Sequence, residues 1–200
     1  MGYTAIIDYG AGNLMSVTNA LRFIGQESRI VSDPTELERA DRLILPGVGA
    51  FPAAMEQLDA SGLTKKVREL AEKKPFLGIC LGMQMLFDMG SEVRECAGLG
   101  LIPGRVERIQ TELKLPHIGW NSLELKNPCP ILRGFDGGEY VYFVHSFCAL
   151  PSRPCDLAAA ADYGAEVAAV VFRDNIFGCQ FHPEKSGDVG LEILKNFCAI

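Results

Sequence analysis

Short apolar runs alternate with stretches of helical periodicity through the first half of the chain, and that rhythm is the mark of βα units feeding a parallel sheet. Thr4-Ala5-Ile6-Ile7 reads as a strand. Asn13 to Ile24 follows as a helix, with Leu14, Val17, Leu21 and Ile24 at helical spacing and Gly25 as its stop. Ser28 to Val31 and Leu43-Ile44-Leu45 are further strands, and Leu63 to Lys74 is a helix ended by Pro75. Phe76 to Ile79 is a buried strand leading into a helix from Leu81 to Met89. From Gly98 onward Pro and Gly become frequent and the half turns strand-rich. Tyr140 to Val144, Val167 to Phe172 and Ile176 to Gln180 are its clearest strands, with Asp174-Asn175 as a hairpin turn and Asp188 to Phe197 as a closing helix.

A chain of 200 residues with 48% hydrophobic composition can bury one substantial core, so residues 1–200 are read as a single domain. The net charge is -6 and the Lys and Arg residues are scattered, which leaves no basic footprint for nucleic acid. No apolar run approaches the ~18 residues that cross a bilayer. Tyr3 to Ile7 is stopped by Asp8 without a basic segment before it, so a cytoplasmic protein with no membrane partner is expected. Seven cysteines without a C-x-x-C pair fit reduced thiols. No metal and no cofactor are expected.

Of those cysteines, Cys80 alone sits in a context that suggests chemistry. Gly78-Ile79-Cys80-Leu81-Gly82 places it between glycines at a strand-to-helix junction, the pattern of a nucleophile elbow. The turn is sharp, glycines relieve its crowding, and a helix N-terminus beside the sulfur favours thiolate. A buried cysteine between packing glycines would look the same. A thiolate nucleophile needs a histidine to take and return a proton, and the choices are His117, His145 and His182. In Phe181-His182-Pro183-Glu184 the proline keeps the backbone extended, so His182 and Glu184 can project to one side and the carboxylate can fix the imidazole tautomer. Alone, that segment would be an ordinary loop; the two motifs together point to a Cys-His-Glu hydrolase.

The segments Gly78-Ile79-Cys80-Leu81-Gly82-Met83-Gln84 and Phe181-His182-Pro183-Glu184-Lys185-Ser186 resemble the class I, triad-type glutamine amidotransferases. Asp8 to Leu14, Pro46 to Phe51, Gly100 to Gly104, Pro116 to Asn121 and Phe143 to Ser146 are similar, more narrowly, to the glutaminase subunits of imidazole glycerol phosphate synthases of histidine biosynthesis. The likeness runs from Ile6 to the C-terminal helix, with Phe147 where the family often has Tyr and Gly187 where a polar residue is commoner. It implies an α/β fold of three layers, doubly wound, with a mostly parallel central sheet, helices on both faces and a strand-rich C-terminal half. It implies hydrolysis of L-glutamine to glutamate and ammonia through a thioester on Cys80, with His182 as acid and base and Glu184 orienting it. The oxyanion would be held by Leu81 and by the loop at Val48 and Gly49, whose glycines permit a peptide flip. Gly47, Gln84, His145 and Ser146 would contact glutamine. The implied partner is a (β/α)8-barrel cyclase in a heterodimer that makes imidazole glycerol phosphate, with Asn13, Trp120, Asn121 and Lys185 near the junction. Trp120 suits an interface anchor and equally a core aromatic.

Other readings are a glutaminase of another pathway, a paralogue feeding a cyclase-like partner in nucleotide-sugar or polysaccharide synthesis, and a cysteine hydrolase of the intracellular-protease type. A non-catalytic regulatory module is a further alternative, but such a module should have lost a triad residue, and all three are present.

Overall fold

Every residue of the first strand, β1 (Thr4–Ile7), is buried, which commits its sheet to cover on both faces. In the computed structural model, which describes residues 2–200, the chain continues through α1 (Leu14–Phe23), β2 (Ser28–Val31), α2 (Pro34–Arg39), β3 (Arg42–Gly47), α3 (Phe51–Ala60), α4 (Thr64–Ala71), β4 (Phe76–Cys80) and the short α5 (Leu81–Gln84). The second half adds β5 (Phe87–Gly90), β6 (Cys96–Ala97), β7 (Ile102–Arg108), β8 (His117–Ser122), β9 (Glu124–Leu125), β10 (Tyr140–His145), β11 (Phe147–Pro151), β12 (Leu157–Asp162), β13 (Glu166–Arg173), β14 (Ile176–Cys179) and α6 (Gly187–Cys198).

The central sheet has the order β2-β1-β3-β4-β14-β13-β12-β9. It is parallel from β2 to β14 and antiparallel from β14 to β9. The expected mostly parallel sheet is therefore a mixed one, because hairpin connections in the second half extend it with antiparallel strands. Alternate residues serve opposite faces. Ala5, Ile7, Leu43 and Leu45 pack with Leu37, Leu58 and Val67 of α2, α3 and α4. Ile6, Ile44, Leu77 and Ile79 pack with Leu21 of α1 and Leu194 and Phe197 of α6. Three layers result, with helices on both faces.

Two smaller sheets stand beside this body, a β10-β8 pair and a β11-β7-β5-β6 sheet. The helix expected from Leu81 to Met89 stops at Gln84, and Phe87 to Gly90 becomes β5, parallel to β7. Met83, Met85, Leu86 and Phe87 are all fully buried, so the segment has no solvent face for a helical stripe to show, and strand pairing decides its form. The helix expected over Asn13 to Ile24 is α1, with the Asn13 side chain accepting from Ser16 N as its N-cap.

The loops after β3, β4 and β14 leave the same, carboxyl edge of the parallel strands, the usual place for a site in such a sheet. Their approach is close: a Cβ on Gly82 would lie 1.8 Å from the Leu45 carbonyl oxygen. Gly82→Ala should therefore destabilise the protein by about 1–3 kcal/mol or more, read as a lower midpoint in thermal melting; an unchanged midpoint would contradict this packing.

Candidate active site

Cys80 ends β4 and caps α5 with φ 55 and ψ -113, a left-handed conformation that a non-glycine residue adopts only when its surroundings force it. Gly47 pairs with Cys80 across the sheet, and its missing side chain matters, since a Cβ there would meet Gly82 N at 2.6 Å. The turn is thus fixed by backbone on two sides.

One hundred residues later, β14 delivers Gln180, Phe181 and His182 to the same edge. His182 N donates to Tyr142 O at 3.0 Å. Ser186 Oγ accepts from Tyr142 N at 3.0 Å and donates to His182 O at 2.7 Å, tying the His182–Ser186 turn to β10. Glu184 Oε1 accepts from His182 Nδ1 at 2.8 Å, with both side chains almost wholly buried. The second oxygen of Glu184 is buried with no hydrogen-bond partner among the described residues. Burial pulls the His182 imidazole pKa down, but hydrogen bonds to the Cys80 sulfur and to Glu184, with the charges of both, push it up to about 9. Sulfur, imidazole and carboxylate stand in line.

The three meet at a cavity of ≈ 400 Å³, a size for a small metabolite. Val48 and Gly49 form part of its wall with Leu81, Gln84, His145, Ser146 and Lys185. Tyr9 OH donates to Pro46 O at 3.0 Å and holds the base of the Pro46–Gly49 loop; burial, with the charge of Cys80, raises the Tyr9 pKa, so the phenol stays a donor. Glu92 Oε2 accepts from Phe51 N at 2.8 Å, capping α3 where the loop ends. Gly49 has φ 98 and nothing within 4 Å of a built Cβ, so its peptide has room to turn.

Residues 5–200 match the family model "Glutamine amidotransferase class-I". The chain belongs to the class I glutamine amidotransferases. A relative from Caldanaerobacter subterraneus subsp. tengcongensis, "Imidazole glycerol phosphate synthase subunit HisH", is 49% identical over 193 residues, covering 96% of this chain and 95% of its own. A protein of the same name from Syntrophotalea carbinolica is 48% identical, covering 96% and 97%. Among solved structures, PurLQS from Thermotoga maritima has a TM-score of 0.77 at 21% identity, covering 99% of this chain and 98% of that one. A putative GMP synthase component from Thermoplasma acidophilum gives 0.76 at 24%, covering 100% and 93%. These two structures share the fold.

In this amidotransferase the residues singled out from sequence divide into groups. Cys80, His182 and Glu184 converge, and Val48, Gly49, Leu81, Gln84, His145 and Ser146 line the cavity with them. Gly47 does not line it: it is buried inside β3, where close packing on α5 requires it. Gln84 is buried, and its Nε2 donates to Phe147 O and to Gln180 Oε1, both at 2.9 Å, so it is no solvated helix-face amide. Trp120 is 55% exposed, which removes the core-aromatic reading. Asn13 caps α1, Asn121 bonds inward to Asp162 O, and Lys185 lines the cavity rim. Sequence reasoning missed Gln180, fully buried with Nε2 3.9 Å from Cys80 Sγ, and also Glu92 and Ser186. Gln180 lies two residues before His182, and that adjacency was the available signal.

The raised His182 pKa carries a sign. Its contribution to stability is complete below the unfolded imidazole value and is lost as pH rises through about 9. An NMR titration should find His182 protonated at neutral pH, and Glu184→Gln should lower its midpoint by roughly one unit or more because a negative partner is removed. An unmoved midpoint in that variant would contradict the assigned pairing.

Proposed function

We propose that this chain is the glutaminase subunit of an imidazole glycerol phosphate synthase and hydrolyses L-glutamine through Cys80, His182 and Glu184. The observation that carries the reading is the buried imidazole bonded to a strained cysteine on one side and to a carboxylate on the other. The names of relatives at 47 to 49% identity over nearly the whole chain supply the pathway.

Cys80 Sγ attacks the side-chain amide carbon of glutamine. The oxyanion that forms needs donors held in place, and Leu81 N–H with the peptide between Val48 and Gly49 are the candidates. Turning that peptide rotates φ of residue 49, which glycine allows on either side of zero. As the tetrahedral intermediate collapses, the His182 proton passes to the leaving nitrogen, ammonia departs and a γ-glutamyl thioester remains on Cys80. His182, now neutral, takes a proton from water; the resulting attack releases glutamate and regenerates the thiolate and imidazolium. Glu184 stabilises the imidazolium throughout.

Ammonia in neutral water is mostly protonated and cannot act as a nucleophile, so it must travel to its acceptor under cover. The partner is a cyclase of (β/α)8-barrel form, docked where the cavity opens. An aromatic face lies next to that mouth: Trp120 packs edge-on to Tyr142 at 6.1 Å, and the Tyr142 backbone holds the His182–Ser186 turn. Exposed Ile118, Trp120 and Tyr140 belong to the same β8-β10 pair, a composition suited to a buried interface core.

Mixing the chain with the cyclase, its nucleotide ligand and glutamine should release glutamate, and Cys80→Ala should abolish the release while the complex still forms. Trp120→Ala should weaken the complex by roughly 10- to 100-fold, the scale of a hot-spot aromatic, in titration calorimetry. Glutamate release by the Cys80→Ala complex, or unchanged affinity in Trp120→Ala, would overturn the corresponding assignment.

A further inference from the structure

Two histidines lie outside the proposed triad, and both are buried: His117 on β8 and His145 at the end of β10, opposite each other in the antiparallel register. His117 Nδ1 is 3.1 Å from His145 Nε2. His145 Nδ1 is 2.8 Å from the Phe147 carbonyl oxygen, and His117 Nε2 is 3.3 Å from Asn121 Nδ2. Phe143 and Tyr163 stack on the His117 ring with centroids at 4.6 and 3.9 Å, which holds its plane.

Both ends of this row have a fixed sense. A carbonyl oxygen only accepts, so His145 Nδ1 carries a hydrogen. Asn121 Oδ1 accepts from Ser122 N at 2.8 Å and its Nδ2 donates to Asp162 O at 2.8 Å, so the amide nitrogen faces His117 and His117 Nε2 must accept. A neutral imidazole has one donor and one acceptor. One arrangement satisfies every group: both rings carry hydrogen on Nδ1, and each donates in the direction of Phe147. Another proton on either ring would set two N–H groups against each other. Burial acts the same way, lowering the His117 pKa and bringing His145 down to about 4, where the bond to Phe147 opposes the shift and the charges of His117 and His182 add to it.

The row ends at the cavity wall. Phe147 O also accepts from Gln84 Nε2, whose second hydrogen goes to Gln180 Oε1. Gln180 Nε2 in turn lies beside Cys80 Sγ. We propose that Asn121, His117 and His145 are positioning residues: a one-way hydrogen-bond chain, both imidazoles neutral with hydrogen on Nδ1, that pins the Phe147 carbonyl and Gln84 and so sets the wall against which glutamine binds. This rests on reading the cavity as a glutamine site. The neutral state has a use beside an imidazolium, because a charged His145 would repel the His182 proton.

The test has a spectroscopic and a kinetic arm. Long-range 15N–1H NMR of the ring nitrogens should find both histidines neutral and Nδ1-protonated through roughly pH 6–8, the window in which an ordinary imidazole titrates. An Nε2–H tautomer or an imidazolium at either position would overturn the proposal. In the complex with the cyclase, Asn121→Asp, which replaces the donor by an acceptor, and His117→Leu, which removes both nitrogens, should each raise the glutamine KM about tenfold while kcat stays within about threefold. Unchanged KM in variants that melt like the wild type would also overturn it. If the wild-type complex failed to hydrolyse glutamine, the glutamine reading would fall, while the ring assignments would still be decided by the spectra.

Discussion

The parallel pairing of β4 with β14 is the contact on which the site depends. Phe76 to Ile79 lies against Ile176 to Cys179 in strict register, so the residues that follow, Cys80 on one strand and Gln180 to His182 on the other, emerge together at the sheet edge. Both strands are central, flanked by β3 and β13, and covered by helices on both faces. Groups that must exchange a proton are thus carried by the stiffest part of the molecule, which keeps their separation from drifting.

Rigidity also explains how the unfavourable features persist. Cys80 holds a backbone conformation that costs about 1–3 kcal/mol for a non-glycine residue, and a histidine and a carboxylate are buried together, which is costly unless they are paired. The elbow cannot relax, because Gly82 rests on the Leu45 carbonyl and Gly47 on the Gly82 amide. The facing wall is built differently. Val48 is half exposed, Gly49 has open space around it, and only the loop's ends are tied, by Tyr9 and Glu92. A site with one fixed wall and one free to rearrange suits an enzyme whose turnover is to be set by a docked partner.

Much of this was legible in the sequence where a physical constraint is local. The first βα units follow from short apolar runs, a capping Asn13 and a breaking Pro75, and Cys80, His182 and Glu184 are marked by glycines and a proline that serve their geometry. The segment after Gln84 reads wrongly as helix because a run buried on every side carries no periodicity, and its strand form depends on β7, which lies beyond a long loop. Strands β7 and β8 are hard to see because Pro103, Gly104 and Gly119 interrupt them. Gln180, Glu92 and Ser186 are invisible for a related reason: their roles consist of contacts with Cys80, Phe51 and Tyr142, and none of these partners is a sequence neighbour. The mixed character of the sheet likewise depends on which edge the late strands join, which hydropathy does not encode.

The most direct test of the central claim is mass spectrometry of the complex with its cyclase, quenched in acid during glutamine turnover. The expected result is a γ-glutamyl adduct confined to the peptide that contains Cys80, absent from Cys80→Ala and accumulating in a variant of His182 that slows its hydrolysis. Turnover with that peptide unmodified at every quench time, or an adduct on a different cysteine, would contradict the reading of Cys80 and His182 as partners in amide cleavage.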